Sequence, residues 1–438
     1  MQSPSATAAP FAATESETYT RVMWRLLPFL FLCYLCAYLD RINVGYAKLQ
    51  MMQDLGLSDA VYGLGAGIFF VGYLLFEVPS NLILLKVGAR RWIARIMVTW
   101  GLISAAMLFV STPTSFYIMR FLLGVAEAGF IPAILLYLTY WFPASRRSKV
   151  TALFLTGIPM SGVVGGPLSG WIMSAMHGVH GWAGWQWLFL LEGIPTVLVG
   201  VIAYFYLDDK VADAKWLTAQ QRTMIETNLA AENRGHALHS VRDGLTNPRI
   251  LLLSVIYFFF TMGLYGVSFW LPTIVKASGV SDPLDIGLLS AIPYAAATVS
   301  MILVGQRSDA RGERRWHLAV PGVLGALGLC LSVAYASNTA LAMLALTIGT
   351  MGIMTTISQF WTLPPAILGG AAAAAGIALA NSVGSISGVI SPYLIGWVQS
   401  STGTTGNGVL VLAASLVIGG MLVFTVPARL VNSGARKD

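Results

Sequence analysis

Six ionisable residues stand in or near long apolar stretches of this chain: Asp40, Arg41, Glu77, Arg120, Glu127 and Glu192. A charge at the centre of a bilayer costs about 2.5–3.5 kcal/mol even on the lenient insertion scale. Such side chains must therefore face a cavity or one another. Asp40 and Arg41 are neighbours and leave a helix about 100° apart. Arg120 and Glu127 are seven apart, which puts them on one helical face, separated by about 10 Å along the axis. Their long side chains can meet through an intermediate group.

The chemistry open to this set is the holding of an anion and the movement of protons. An arginine offers a rigid fork of donors matched to a carboxylate. An ionised Glu127 or Asp40 competes with a bound anion for Arg41 and Arg120, and a protonated one releases them. That competition would couple an anion to a proton. The alternative is two neutral ion pairs fastening two helices together. Buried pairs contribute little net stability, which favours the functional reading.

Around these charges, Tyr38 and Tyr73 can hydrogen-bond a solute or simply pack. Glu77, two residues before Pro79, and Glu192 are expected to have structural or gating roles. The second half of the chain offers neutral candidates: Gln359, Trp361, Asn381, Ser382 and Ser385. Asn381 lies in a stretch of small residues, 371–388, where helices can approach closely.

The elements that must position these residues follow from composition. Of 438 residues, 56% are hydrophobic and 10% charged, and the mean hydropathy is +0.72. A soluble chain has about 25% charged residues, so lipid is the main solvent. A span needs roughly 20 mostly apolar residues. Runs of that kind predict twelve helices, at 24–46, 61–85, 92–110, 116–141, 150–174, 185–207, 250–276, 285–306, 316–336, 340–362, 371–399 and 406–428. The fold class expected is an all-α membrane protein.

Of the 26 lysines and arginines, only Lys48 and Lys276 fall in loops of one face, and Arg41 and Arg120 lie inside spans. All the others flank the spans on the opposite face. By the positive-inside rule that face is cytoplasmic, with both termini on it. Residues 1–23 and 429–438 read as cytoplasmic tails, the first of them unstructured and with no cleavable signal. The segment 208–249 reads as a cytoplasmic central loop with room for a short surface helix. It separates two six-helix bundles, 24–207 and 250–428.

The bundles share a string. Gly88-Ala89-Arg90-Arg91-Trp92 follows the second span, and Gly312-Glu313-Arg314-Arg315-Trp316 follows the eighth. These are equivalent positions in a duplicated unit, the arrangement that supports alternating access around a site between the halves. The stretch Gly305 to Arg315, with Asp309, Gly312 and Arg314, resembles the major facilitator loop motif G-x-x-x-D-R/K-x-G-R-R. The first-half copy has Asn81 for its first glycine and Leu85 for its aspartate, so an acidic latch is missing there.

Within that superfamily the first half resembles the anion:cation symporter family, which includes bacterial sugar-acid, tartrate, phthalate and hydroxyphenylacetate permeases. The strings that carry the likeness are Tyr38-Leu-Asp40-Arg41-Ile-Asn43-Val, Phe76-Glu77-Val-Pro79-Ser-Asn81, Arg120-Phe-Leu-Leu-Gly124-Val-Ala-Glu127-Ala-Gly129 and Gly184-Trp-Gln-Trp187-Leu-Phe-Leu-Leu-Glu192-Gly193. The resemblance implies that Asp40 and Glu127 handle protons, that Arg41 and Arg120 bind the anion, and that Tyr38, Tyr73, Trp361 and Asn381 line a pocket. It implies proton-coupled uptake of a small carboxylate across a bacterial inner membrane by a monomer, with no cofactor. Near Ile158 some sugar-acid members carry a polar side chain that is absent here. That leans the expected substrate toward an aromatic or short-chain acid.

Other signals are weaker. Gly162-Val-Val-Gly-Gly166-Pro167-Leu-Ser-Gly170 partly resembles a drug-antiporter stretch, and physically it is a smooth face for close packing. Cys33-x-x-Cys36 has no second pair and reads as helix packing. His177/His180 and His236/His239 read as loop histidines rather than metal ligands. There is no Walker loop and no nucleophile elbow. Neither an enzyme nor a nucleic-acid partner is expected. The competing functions are an organic-anion exchanger and, further off, a transporter-like sensor.

Overall fold

A computed structural model describes residues 8–233, 245–367 and 370–432. Twelve helices among them are long and apolar enough to cross a membrane. They are α1 (Ala8–Leu55), α2 (Asp59–Val87), α3 (Ala89–Phe109), α4 (Pro113–Thr139), α5 (Lys149–Ala175), α6 (Gly184–Tyr206), α7 (Pro248–Ala277), α8 (Pro283–Arg311), α9 (Arg315–Ala334), α10 (Thr339–Ile367), α11 (Ala375–Thr402) and α12 (Thr405–Val423). Side-chain caps mark several starts. Ser58, Asn247, Asp282 and Asn338 each accept a backbone N–H from the first turn, satisfying donors that a helix leaves free.

The expected unstructured tail is replaced by helix from Ala8 onward. Glu15 pairs with Arg146 at 3.5 Å, the Tyr19 ring packs on Phe142, and Asn228 donates to the Tyr19 hydroxyl. These contacts tie the first turns to the α4–α5 loop and to the helix Ala219–Asn233 of the central segment. His236 and His239 lie outside the described residues.

The halves repeat. α1 packs on α6, α2 on α4 and α3 on α6; α7 packs on α12, α8 on α10 and α9 on α12. Between the halves, α2 packs on α11 and α5 on α8. Glycines set these two seams. A Cβ at Gly63 would stand 2.4 Å from the Pro392 carbonyl, one at Gly166 2.5 Å from the Gly287 carbonyl, and one at Gly170 2.4 Å from the Pro283 carbonyl. The antiporter-like string is thus a backbone-to-backbone packing face.

Both seams close the face opposite the basic loops. There Lys48 of α1, 4% exposed, pairs with Asp59 at 2.8 Å and reaches across to Thr273 at 3.2 Å and to the Trp270 ring at 3.6 Å. Tyr62 donates to the Phe269 carbonyl at 2.8 Å, Ala60 N–H donates to Ser400, and Ser174 donates to Asp282.

Candidate functional site

The helix α4 is broken at its charged end. It runs regularly from Pro113 to Glu127, leaves helical geometry at Ala128 (ψ 129°) and Gly129 (φ 86°), and resumes at Phe130. A positive φ of this kind suits glycine. Ser80 of α2 donates to the Ala128 carbonyl at 2.6 Å and accepts from the Trp92 indole at 2.9 Å. Backbone off the helical path inside a membrane is tolerated where it lies against protein or lines a cavity. The break was hidden in the sequence within one continuous apolar run.

Glu127 at that break pairs with Arg41 of α1. The partner of Glu127 is therefore Arg41 rather than Arg120 through an intermediate group. The Arg41 guanidinium lies 5.5, 5.4 and 5.9 Å from the rings of Tyr38, Phe69 and Tyr73, within electrostatic reach of Tyr265 of α7. Tyr38 meets Ser268 of α7 at 3.4 Å. One oxygen of Glu127 and the Arg41 Nε have no partner.

Arg120 lies closer to the sealed face. Its side chain is 0% exposed. Among the described residues its hydrogen bonds are two long ones, to the carbonyls of Gly65 (3.4 Å) and Ala66 (3.5 Å), and its Nη1 has none. Among the described residues no carboxylate stands within 4 Å of it. The guanidinium faces Phe69 at 5.0 Å and Phe269 of the other half at 5.9 Å.

Asp40 turns the other way, as its 100° offset from Arg41 requires. Its oxygens accept from Ser104 of α3 at 2.8 Å and Thr196 of α6 at 2.7 Å, so it does not occupy either arginine here. Glu192, also buried, accepts from Ser169 of α5 at 2.8 Å.

Toward the basic face, Asn381 donates to Glu77 across the halves at 3.2 Å. Trp361 ends the regular part of α10 and packs on Tyr257 at 4.7 Å. Gln359 is buried beside Gly305, and its Oε1 has no hydrogen-bond partner among the described residues. Sequence reasoning missed Tyr265, Ser268 and Phe269 because an apolar helix with scattered aromatics carries no charge to flag them.

The loop motif is set apart from this centre. Asp309 pairs with Arg314 at 2.6 Å, and Gly312 (φ 61°) caps α8. The Arg314 N–H donates to Asn432 beyond α12 at 2.8 Å, and Arg315 donates to the Phe424 carbonyl. In the first half, Gly88 has φ 94°, and the Arg90 N–H donates at 2.9 Å to Asp209 beyond α6. Asp209 supplies the carboxylate that Leu85 lacks. Arg91 has no comparable anchor among the described residues. Glu313 accepts from the Trp316 and His317 amides, the His317 ring and Asn432. Burial pushes its carboxyl up, but these donors outweigh burial and hold it below the usual carboxylate range.

Comparison with known proteins fits this arrangement. The chain is 49% identical over 416 residues to a putative metabolite transport protein, NicT, of Pseudomonas putida, covering 94% of this chain and 95% of that one. It is 48% identical to a putative tartrate transporter of Agrobacterium vitis, covering 93% and 91%. It is 40% identical to a quinolone resistance transporter of Acinetobacter baumannii, covering 95% and 96%. Among solved structures, the partially occluded inward-open xylose transporter XylE of E. coli superposes with a TM-score of 0.74 at 14% identity, covering 92% and 98%. The family model of the Major Facilitator Superfamily matches residues 30–392. With its two six-helix halves and the charges between them, this chain is a multi-pass membrane transporter of the Major Facilitator Superfamily.

Proposed function

We propose that the protein is a proton-coupled importer of a small organic anion, set in a bacterial inner membrane with its basic loops and both termini in the cytoplasm. The observation that carries this reading is Arg120. A fully buried guanidinium with no carboxylate partner is costly in a bilayer, and an anion binding against Phe69 and Phe269 would satisfy it. Arg41 supplies the coupling. While Glu127 is ionised it holds Arg41. A proton on Glu127 releases that guanidinium to a second carboxylate oxygen of the solute, so anion and proton travel together. Tyr38, Tyr73 and Tyr265 are near enough to donate to the same solute, and the Glu77–Asn381 bond is a gate on the cytoplasmic side.

The aromatic surroundings of both arginines suit a planar aromatic or short-chain acid. The relative named as a tartrate transporter supports a carboxylate. A second reading, exchange or efflux, is favoured by the relative named for quinolone resistance. A thermal-shift screen of the purified carrier against tartrate, benzoate and neutral sugars tests the substrate class, because a ligand raises stability by mass action. Stabilisation by a carboxylate in the wild type, absent in Arg120→Gln, is expected. Equal stabilisation of both proteins would refute the role of Arg120. Accumulation that survives an uncoupler would favour exchange.

A further inference from the structure

A hollow opens on the basic face of the first half, outside the central site. It has a volume of about 840 Å³ and is bounded by the ends of α1, α3 and α6 and by the central segment. Four cations line it: Arg25 of α1, Arg90 of α3, and Lys215 and Arg222 of the central segment. Against them stand two carboxylates, Asp208 and Asp213.

Two of the cations have partners. The Arg90 Nε lies 3.8 Å from Asp209, and the Arg222 Nη1 donates to the Ala212 carbonyl at 3.0 Å. Asp208 accepts from the Trp216 indole at 2.9 Å. Arg25 is held by rings instead. Its guanidinium lies 4.1 Å from the Tyr206 ring and 5.8 Å from that of Trp216. Among the described residues it makes no side-chain hydrogen bond and no ion pair. Stacking covers the face of a guanidinium but leaves its N–H donors to be filled. Lys215 is exposed and also unpaired among the described residues. The second half does not repeat this arrangement. Arg314 and Arg315, the counterparts there of Arg90 and Arg91, are taken up by Asp309 at 2.6 Å and by the Phe424 carbonyl at 2.7 Å.

The level of the hollow points to its occupant. Trp24, next to Arg25, is 70% exposed, and Phe205, which lines the hollow, is 78% exposed. Both belong to spans, α1 and α6. An exposed indole near the end of a span marks the headgroup level of a bilayer. The hollow therefore has a cationic side and an aromatic side that meets the acyl chains. A soluble anion engages only the first, whereas a phospholipid engages both. Basic pockets of this kind attract anionic headgroups.

We propose that this hollow binds an anionic phospholipid, its phosphate held by Arg25 and Arg222 and its acyl chains lying over Phe205. The phosphate joins α1 to the central segment, and so fastens the connection between the halves to the membrane surface. The site does not depend on which solute the carrier moves.

The test is native mass spectrometry of the full-length chain, released from detergent micelles that contain phosphatidylglycerol or phosphatidylcholine. The wild type is expected to retain one phosphatidylglycerol in preference to phosphatidylcholine. Each cation near a membrane surface contributes about fivefold in affinity, so the double variant Arg25→Gln with Arg222→Gln should bind phosphatidylglycerol about 25-fold more weakly. Lys86→Gln removes an exposed cation of the same face that does not line the hollow, and should bind as the wild type does. Lys215→Gln, at an exposed position, should lose about fivefold and covers the case in which the double variant does not fold. Inorganic phosphate in excess should not displace the lipid. Equal retention by the wild type and the hollow variants would overturn the proposal, as would equal retention of the two lipids. Displacement by inorganic phosphate would assign the hollow to a soluble anion and overturn it too.

Discussion

Replacing Gly166 by leucine should push the halves apart on the face they now seal. A Cβ there stands 2.5 Å from the Gly287 carbonyl oxygen and 3.0 Å from the Tyr46 hydroxyl, whereas carbon contacts settle near 3.5–4.0 Å. α5 and α8 must therefore separate by about 1 Å for the first added carbon alone, and leucine brings three more. Overpacking of this kind costs typically 1–3 kcal/mol. The cost falls only on the conformation in which α5 and α8 touch, so the equilibrium should shift about 5- to 150-fold toward the one in which they part. Spin labels at Gln53 and Ser401, exposed at the sealed face on opposite halves, with Cys33, Cys36 and Cys330 replaced by alanine, report the separation by pulsed dipolar spectroscopy. A new population at longer distance is expected for Gly166→Leu and not for Val164→Leu, a lipid-exposed neighbour. An unchanged distribution in folded Gly166→Leu would refute the assignment of this seam as the closure.

Further outcomes follow from the same contacts. Arg120→Lys should weaken binding of a stabilising carboxylate about tenfold, or about 1.4 kcal/mol, because the planar fork is lost while the charge is kept; titrated thermal shifts measure it. Gly129→Ala should destabilise the carrier by about 1–3 kcal/mol, the cost of forcing a side chain into the left-handed region, since its φ is 86° and its Cβ would lie 2.3 Å from the Ser80 hydroxyl. The fall in melting temperature measures it. Glu313, held below the usual carboxylate range, contributes stability that is present above its unfolded pKa. That stability disappears as pH falls through the folded value. The melting-temperature difference between wild type and Glu313→Gln should shrink on acidification below about pH 4, and a constant difference would contradict the assignment.

The architecture was readable because each level repeats one physical demand. Apolar runs of span length, basic residues sorted to one face and the paired Gly-x-Arg-Arg-Trp strings all point to two six-helix halves. The charged site was readable for the opposite reason: Asp40, Arg41, Arg120, Glu127 and Glu192 violate the rule that the spans obey. Which of them meet was not readable. Spacing alone separates Asp40 from Arg41 by rotation, but it does not say that α4 lies on one side of α1 and α3 and α6 on the other. The break at Ala128–Gly129 is silent in hydropathy, since both residues are small and apolar. Asp209 could not be matched to Arg90 because the contact joins segments 119 residues apart. The partners from α7 were silent because Tyr265, Ser268 and Phe269 are ordinary in an apolar helix.

The central claim is that a titrating Glu127 controls whether Arg41 is free to hold an anion. Its most direct measurement uses proteoliposomes containing wild type or Glu127→Gln, either empty or preloaded with the carboxylate that stabilises the purified carrier, and given the same carboxylate radiolabelled outside. In empty vesicles an imposed inward proton gradient should drive accumulation above the external concentration in the wild type only, while in preloaded vesicles Glu127→Gln should retain solute-for-solute exchange. Accumulation by Glu127→Gln equal to that of the wild type would contradict the account.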